Sequence, residues 1–447
     1  MTPSAEKEPH ATTGGQGSTW SIHVFAPCAL VKDIDVEKDD IEHDDSYFIG
    51  TLDDGQRMAT EWTPEARLSI KCAVDSIPNV LQYTWHYITL DSAERVLNSV
   101  QKSSQALLAD PATQYVRTVV LNFTDGMETD GWPGITVIRG LERRHLAFTG
   151  ADSKLYYLDS DKARIKRHLV ASHSLTPGYC EVYSHEEDEA RAKPLTDMSA
   201  NPEEDDPPKS KDADEEEEED EEQEMAHRAV VMEQLAKLTF PLLVKPANSS
   251  SSRGITSKSV VDTPEEAYIQ AMETKRVWGP VYVEEYITGR EFTALVSGSE
   301  ATGIRVYKVL ERVFRDKIPE RERMLTHDMK WGDNNYGSDA TVATASWWMQ
   351  VCSDEDQTRL QAQAEAIYSS FGGNGYCRMD LREDHRTGKV YVVDVNANCS
   401  IDDDDDCAMG KILKSSGLTL GQFFTILMED AVRTRDTLLQ YSNTGKK

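Results

Sequence analysis

The fold of this chain is decided at Val244–Ile255, which reads VKPANSSSSRGI. An apolar run, Phe240 to Val244, leads into this stretch, and a run of β-formers, Ile255 to Val261, continues from it. The pattern predicts a loop of small residues between two strands. Backbone N–H groups and hydroxyls in such a loop suit phosphate, and Lys245 adds a positive charge. A flexible loop that happens to contain four serines is the alternative interpretation.

A second motif lies nearer the C-terminus. Tyr376–Leu381 and Val390–Asn396 are two runs of β-formers, and the turn residues Arg386–Lys389 separate them. Two such runs around a glycine-containing turn predict a β-hairpin centred near Thr387.

Polar side chains of this hairpin are predicted to share one face. Because side chains alternate across a strand, Arg378 and Asp380 point one way, and Asp394 and Asn396 do the same on the partner strand. Asp380 then lies opposite Asp394, and two neighbouring carboxylates repel each other unless a cation lies between them. Oxygen ligands of this kind suit Mg²⁺. A solvated sheet face, with Arg378 paired to the acids, is the alternative.

Composition limits the classes of protein that need to be considered. A chain of 447 residues with 39% hydrophobic content can form two or three domains. It contains neither an apolar run long enough to span a membrane nor an apolar stretch near the N-terminus, so we expect no membrane partner. Seven scattered cysteines without a Cys-x-x-Cys motif are typical of a reducing compartment. We therefore expect a cytoplasmic protein without disulfides or zinc.

Much of the negative charge is concentrated in one segment. Residues 185–224 contain 20 acidic and 4 basic residues of a chain whose formal net charge is −30. Such a segment without apolar periodicity predicts a disordered acidic insertion, which we place at 185–225, and residues 1–19 predict a disordered tail. No basic stripe is present, which argues against a nucleic-acid partner.

The N-terminal third alternates strands with helices. Ile22–Ala26 and Val116–Phe123 read as strands, and Ala93–Leu108 reads as an amphipathic helix. This alternation predicts an open α/β sheet whose ligands bind beyond the carboxyl ends of the strands. The loop after the second strand contains Asp125, Glu128 and Asp130. An acidic surface turn is the favoured interpretation of that loop, and a site for a cationic substrate group is the alternative.

Further along, two features bear on the site. Asp159 to Asp161 can cap a helix that starts at Lys162, where a lysine opposes the helix dipole and therefore suggests a negative partner nearby. Residues 303–345 show little periodicity and predict an irregular lid or insertion.

The order of these parts resembles that of the ATP-grasp ligases, and it is most similar to the D-alanine–D-alanine ligase group. The quoted elements are the helix of Lys162, the strand-Lys-Pro motif with its small-residue loop, VEEYITGRE at Val283–Glu291, and Arg-x-Asp followed by Asp-x-Asn in the hairpin. The resemblance covers roughly residues 120–440. It implies an α/β (α+β) chain with an ATP-grasp fold and an N-terminal open α/β, Rossmann-like domain. The implied domains are 20–150 for substrate, 151–290 as the central ATP-grasp subdomain, and 291–447 as the C-terminal subdomain with the metal site.

The resemblance also implies roles for individual residues. Lys162 and Lys245 would hold the α- and β-phosphates of ATP. The implied catalytic residues are Arg378 at the transferring phosphoryl group, Lys330 on a lid over the γ-phosphate, and Ser251 in the serine loop. The other implied site residues are Ser252 and Gly254 over the phosphates, Glu284, Glu285, Tyr286 and Ile287 at the adenine, Glu291 at the ribose hydroxyls, and Asp380, Asp394 and Asn396 as ligands of two Mg²⁺, with Mn²⁺ as the alternative ion.

The implied reaction is ATP-dependent amide formation through an acyl phosphate, with release of ADP and phosphate. The substrates would be a small carboxylate and an amine, such as two amino acids, and a homodimer is compatible with the resemblance. Asp402 to Asp406 follow the metal asparagine where the group cradles a substrate carboxylate. Five acids would repel a carboxylate, which predicts a basic acceptor; solvated acids before the next helix are the alternative. A non-catalytic nucleotide-binding protein and an ATP-grasp carboxylase or thioester ligase remain open as other functions.

Overall fold

The computed structural model describes residues 18–31, 47–51, 57–60, 62–128, 131–182, 225–249, 252–326, 329, 346–401 and 407–444. Several sequence-based predictions fall outside the described residues: the tail 1–17, Asp130, the acidic segment 185–224, Ser251, Lys330 and Asp402 to Asp406.

Seventeen strands and ten helices occur in the part of the chain that the structure describes. The strands are β1 (Trp20–Pro27), β2 (Ala29–Val31), β3 (Tyr47–Thr51), β4 (Arg57–Thr60), β5 (Val80–Ile88), β6 (Arg117–Asn122), β7 (Ala147–Phe148), β8 (Tyr179–Val182), β9 (Leu242–Pro246), β10 (Val260–Val261), β11 (Val281–Glu285), β12 (Gly289–Ser299), β13 (Gly303–Val306), β14 (Leu310–Phe314), β15 (Trp347–Val351), β16 (Tyr376–Asp384) and β17 (Val390–Ala397). The helices are α1 (Pro64–Asp75), α2 (Ala93–Ala109), α3 (Ile135–Arg143), α4 (Ser153–Asp159), α5 (Lys162–Ala171), α6 (225–235), α7 (Pro264–Trp278), α8 (Asp354–Ser370), α9 (Ala408–Ser415) and α10 (Leu420–Thr444).

The first sheet is parallel, as the alternation of strands and helices predicted. Its strand order is β5-β1-β6-β7, and every neighbouring pair is parallel. Helices α2 and α3 pack on one face through Leu97, Val100 and Leu141. The other face packs against α1 and the C-terminal helix α10, which supplies Phe423 and Phe424 to the same core. The first and last parts of the chain therefore share one hydrophobic core.

The second sheet is antiparallel and carries the strand that ends at the serine loop. Its order is β10-β9-β11-β8, and α6 and α7 cover its apolar face. The predicted strand Ile255–Val261 is wrong for most of its length, because a 3-10 turn occupies Ser257–Ser259 and only Val260–Val261 pair with β9. The Thr256 and Ser259 side chains each accept an N–H of the turn. These local hydroxyl bonds satisfy the backbone in place of a strand partner.

The third sheet contains the predicted hairpin. Its order is β15-β14-β12-β16-β17, with β13 paired to β12. Strands β16 and β17 pair with Asp380 opposite Asp394 and Arg378 opposite Asn396, as the alternation predicted. The apolar face packs on α8 through residues such as Met379.

Residues 303–345 were predicted to be irregular, and this is wrong for their first part. Strands β13 and β14 lie there, and Leu310 is buried at the start of β14. Its neighbours Glu311 and Arg312 are both charged, so the sequence lacks the apolar alternation that predicts a strand. In the sheet they lie opposite Phe292 and Glu291 of β12, so Arg312 meets its counter-charge across the strands.

Acidic side chains accept backbone N–H groups at the N-terminal ends of two helices, and one of these caps was predicted. Asp161 caps α5 by accepting the N–H groups of Ala163 and Arg164. Glu128 accepts the N–H of Gly134 and, at 2.6 Å, that of Thr136 at the start of α3. Glu128 thus serves a helix end, which favours the acidic-turn interpretation of its loop.

Asn398 connects the first and third sheets. It directly follows β17, and its Oδ1 accepts the N–H of Ala151 at 2.6 Å. Its Nδ2 donates to the carbonyl of Thr124 at 3.4 Å, just beyond β6. This buried amide holds the carboxyl end of the parallel sheet beside the hairpin. No helix within the described ranges has the length and apolarity needed to cross a bilayer.

Candidate functional site

The predicted site residues converge on the space between the second and third sheets. Lys162, the first residue of α5, places Nζ 3.3 Å from Asp394 Oδ1 on β17. Its backbone N–H donates to the carbonyl of Ala247, directly after β9. The negative partner expected for Lys162 is therefore Asp394, and one residue links the serine-loop strand to the hairpin.

Lys245 faces the same space from β9. Its Nζ lies 2.5 Å from Glu284 Oε1, and Lys166 Nζ lies 2.7 Å from Glu284 Oε2. Lys166 and Glu284 expose only 1% and 2% of their surfaces. Lys166 was missed in the sequence, although it lies one helical turn after Lys162 on α5 and this spacing places both on one side of the helix.

Electrostatics favour the ionised form of Glu284 in this triad. Burial would raise the pKa of Glu284, but Lys166 and Lys245 together lower it below its ordinary value. Burial lowers the pKa of Lys166, although Glu284 opposes that change. On β17, burial would also raise the pKa of Asp394, but Lys162 first and then Lys245 lower it. Lys162 and Lys245 therefore interact electrostatically with Asp394 of the hairpin across one shared space.

The polar face of the hairpin has the composition of a Mg²⁺ site. Arg378 Nη2 lies 3.6 Å from Asp380 Oδ2. Asp380 Oδ1 and Asn396 Nδ2 are buried without a hydrogen-bond partner, which is unusual for polar atoms unless a ligand satisfies them. Among the described residues, no group of three or more His, Cys, Asp and Glu side chains could hold a metal ion. The hairpin offers two carboxylates and one amide oxygen, a donor set that suits Mg²⁺ shared with phosphate oxygens.

Asp159 is a further acid beside this face. Its Oδ2 accepts the N–H of Ala397 at 3.0 Å. Burial raises the pKa of Asp159 to about 8, Lys162 opposes this rise and Asp394 adds to it. The sequence indicated Asp159 only as one of several capping residues; in the structure Asp161 caps α5, and Asp159 turns to the hairpin.

Glu291, the predicted ribose ligand, lies between two arginines. Arg312 on β14 contacts its Oε1, and Arg382 Nη1 on β16 lies 3.4 Å from its Oε2. Glu291 lies opposite both arginines in the strand register. Burial lowers the pKa of Arg312 to about 10. A contact of Glu291 with ribose stays a prediction, and any ribose hydroxyl would share the carboxylate with these guanidinium groups.

The segment predicted to line the adenine joins the two antiparallel sheets. Glu285 accepts the N–H of Thr239 at 2.8 Å and that of Gly178 at 3.3 Å. Tyr286 donates its hydroxyl to the carbonyl of Arg323 at 3.1 Å, and the Arg382 guanidinium lies 4.8 Å from its ring centroid. Glu284 contacts the two lysines and Ile287 is buried. An adenine contact here stays a prediction.

The described part of the serine loop turns tightly over β9. Ser252 and Gly254 have φ values of 63° and 78°. A Cβ on Gly254 would lie 2.6 Å from Pro246 Cγ, so only glycine permits this approach. Ser249 Oγ donates to the carbonyl of Arg253 at 2.9 Å. The loop therefore lies close over the strand that carries Lys245.

Comparisons with known proteins show what this chain is similar to. Residues 215–435 match the family model described as D-ala D-ala ligase C-terminus. The D-alanine–D-alanine ligase of Hydrogenovibrio crunogenus is 26% identical over 159 residues, which are 36% of this chain and 44% of that protein. The ligase of Actinobacillus pleuropneumoniae serotype 5b is 27% identical over 170 residues, 38% of this chain and 48% of that protein. The matched parts thus span less than half the length of these curated relatives.

Solved structures show the fold over nearly the whole chain. The D-alanine–D-alanine ligase of Bacillus anthracis aligns with a TM-score of 0.51 at 15% identity, covering 94% of this chain and 99% of that one. The ligase of Coxiella burnetii aligns with a TM-score of 0.51 at 13% identity, covering 96% and 99%. These structural alignments show the predicted ATP-grasp fold, while the family model adds a sequence likeness over residues 215–435. The chain is thus similar to D-alanine–D-alanine ligases in sequence over residues 215–435 and in fold over nearly its whole length.

Proposed function

We propose that this protein is an ATP-dependent carboxylate–amine ligase that forms an amide and releases ADP and phosphate. One observation carries the proposal: the 3.3 Å contact of Lys162 Nζ with Asp394 Oδ1. It brings the phosphate-binding side of the site and the metal-binding side within reach of one nucleotide. Lysines on one wall and carboxylates on the other are what binding of a magnesium polyphosphate requires.

The reaction would proceed in two steps. In the first, a carboxylate oxygen of the donor substrate attacks the γ-phosphorus of ATP, the bond to the β-phosphate oxygen breaks, and an acyl phosphate and ADP form. In the second, the amine nitrogen attacks the acyl carbon, the carbon–oxygen bond to phosphate breaks, and the amine loses a proton. The products are an amide, ADP and phosphate.

The residues of this chain would position and neutralise charge in these steps. Lys245 and Lys162 hold phosphates at the second sheet, and Arg378 donates to the transferring phosphoryl group from the hairpin. Arg378 Nε is buried without a hydrogen-bond partner, so it has a free donor for an oxyanion. Asp380, Asp394 and Asn396 would hold two Mg²⁺, or Mn²⁺ in their place. The metal would supply neutralisation of the phosphate charge.

For substrates, we propose two small amino acids or an amino acid and an amine, since the named relatives are D-alanine–D-alanine ligases. A basic acceptor is the more specific proposal. It rests on the sequence alone, because Asp402 to Asp406 follow the hairpin in the chain. An acceptor screen should favour lysine, arginine and diamines, and faster turnover with neutral amino acids would exclude the basic acceptor.

The activity is tested by incubating the protein with ATP, Mg²⁺ and pooled amino acids and amines. ADP release should depend on the pool, and mass spectrometry should find a product whose mass equals the two substrates less one water. ATP binding without ADP release in every mixture would contradict the ligase proposal. Turnover that requires bicarbonate or coenzyme A would contradict amide formation.

A further inference from the structure

The polar face of the third sheet carries three arginines and three acids, and one of those acids is already paired with a lysine. Arg312, Arg378 and Arg382 face Glu291 and Asp380 there, while Asp394 is paired with Lys162. The side chains of Arg312 and Arg382 expose only 10% and 6% of their surfaces. A buried surplus of positive charge is unfavourable unless a negative group joins it.

Arg382 is already held by protein groups. Besides Glu291, its Nη2 donates to the carbonyl of Arg323 at 2.9 Å and lies 3.4 Å from the Tyr286 hydroxyl. Its guanidinium covers the Tyr286 ring. Arg382 therefore holds the backbone at Arg323 and the ring of Tyr286 against the third sheet.

Arg312 differs from Arg382 in its bonding. Glu291 is its one hydrogen-bond partner among the described residues, whereas Arg382 also donates to Arg323 and Tyr286. The Nε of each of these arginines is buried without a partner. The Trp347 ring lies 5.4 Å from its guanidinium and supports it from one side. Thr293 Oγ1 lies on the same face of β12 as Glu291, and it is also buried without a partner. Unbonded buried N–H and O–H groups on one face indicate a place where a ligand supplies acceptors.

The charges of the opposite wall indicate which ligand fits. Lys162, Lys166 and Lys245 lie there with Glu284, and Lys162 reaches across to Asp394 of the hairpin. Over the two walls together, these three lysines and the three arginines therefore exceed the acids Glu284, Glu291, Asp380 and Asp394 by two charges. A polyphosphate carries enough negative charge to balance this surplus, whereas a single substrate carboxylate balances only one charge.

We propose that Arg312 is a further phosphate-binding residue, which donates to the terminal phosphates of the nucleotide. The inference rests on the proposed function, because it assumes that ATP occupies this space. Glu291 holds the guanidinium in place from one side, so the free edge of Arg312 faces the nucleotide. Substrate carboxylate is the other oxyanion that this edge could bind, and the experiment separates the two.

The experiment measures Mg²⁺-dependent binding of adenosine, AMP, ADP and ATP by calorimetry to the full-length protein and to Arg312→Gln. A charged hydrogen bond to phosphate predicts that the variant loses roughly ten- to a hundred-fold in affinity for ADP and ATP. Affinity for adenosine and AMP should change less than about two-fold, since the assignment is to the terminal phosphates. Arg312→Lys should recover part of the loss because it keeps the charge.

Arg315→Gln is the matched control. Arg315 lies three residues further along the chain and stacks on Trp348 at 5.5 Å, as Arg312 stacks on Trp347. The control should bind all four ligands like the unmodified protein. Thermal unfolding of each variant shows whether the fold is kept, and in Arg312→Gln the Glu291 carboxylate retains Arg382.

Each outcome decides the proposal. Equal losses for adenosine and ATP would overturn it, because they would indicate general damage to the site. Unchanged nucleotide affinity would overturn it too, and a raised KM for the carboxylate substrate would then assign Arg312 to that substrate. If the unmodified protein binds and hydrolyses ATP while Arg312→Gln matches it, only this inference fails. If the unmodified protein binds none of the four ligands, the proposed function fails as well.

Discussion

Lys166 Nζ lies 2.7 Å from Glu284 Oε2, and this ammonium also donates to Thr176 Oγ1 at 2.8 Å and to the carbonyl of Val392 at 3.3 Å. One side chain of α5 thereby bonds to β11 of the second sheet and β17 of the third. The contact positions the two walls of the site relative to each other, so its charge balance bears on both stability and ligand binding.

Replacing Glu284 with Gln should destabilise the protein. The change leaves Lys166 and Lys245 buried beside a neutral amide, and breaking a buried pair in this way costs about 3 kcal/mol. The free energy of unfolding from urea titrations checks the value. Glu285→Gln is the control, since Glu285 accepts two backbone N–H groups, and we expect a loss of about 1 kcal/mol. Equal losses in the two variants would contradict a special role for the triad.

The same triad predicts a pH dependence. Because the folded pKa of Glu284 is lowered, its contribution to stability is present above the ordinary pKa of 4.5 and is lost as the pH falls through the folded value. The difference in unfolding free energy between the unmodified protein and Glu284→Gln should therefore shrink on acidification below about pH 4.5. A difference that stays constant to pH 3 would exclude this linkage.

Replacing Lys245 with Ala should weaken ATP binding. Lys245 is buried at the end of β9 and would be desolvated against phosphate, so we expect a loss of roughly ten- to a hundred-fold in affinity, measured by calorimetry. Lys258→Ala is the control, because Lys258 is exposed just beyond the serine loop. The affinity of the Lys258→Ala variant for ATP should equal that of the unmodified protein. Similar losses in both variants would indicate a general electrostatic effect instead of a phosphate contact.

Asp380→Asn should abolish ADP formation while the fold persists. Asp380 Oδ1 is buried without a hydrogen-bond partner, so removing its charge relieves a desolvation penalty, which offsets the weakened contact with Arg378. We expect the free energy of unfolding to change by less than about 1 kcal/mol. Asp384→Asn, at the turn end of the same strand, breaks only the ion pair with Arg386 and should keep activity. Continued turnover of Asp380→Asn would contradict the proposal that Asp380 binds the metal.

His23 should make the N-terminal sheet sensitive to acid. Its Nδ1 lies 3.0 Å from His86 Nε2, and burial, with the charge of His86 as a smaller cause, lowers the pKa of His23 to about 4. The unfolded chain then binds a proton from about pH 6.5 downward and the folded protein does not. Stability should therefore be full above pH 6.5 and fall by about 3 kcal/mol between pH 6.5 and 4.

Urea unfolding at several pH values checks this behaviour. His23→Leu should reduce the loss between pH 6.5 and 4, while His173→Asn, at an exposed position, should leave it unchanged. The same loss in all three proteins would assign the acid sensitivity to other groups.

Local chemistry made much of the fold predictable. The hairpin register follows from a glycine-containing turn and from alternation, and both act over a few residues. Asp161 caps α5, as the residue types indicated. The order of these elements was also sufficient to indicate the ATP-grasp fold. Strand β14 was missed because Glu311 and Arg312 make its sequence look like a surface segment.

The amino-acid order alone therefore established the elements, their succession and the polar face of the hairpin, because turns, caps and alternation depend on neighbouring residues. Only the tertiary structure decided that Lys166 is buried with Glu284, that Glu291 lies between Arg312 and Arg382, and that Asp159 faces the hairpin. These pairings join residues that are distant in the chain. Their energies depend on separation in space and on loss of water, and no local pattern in a sequence records either quantity.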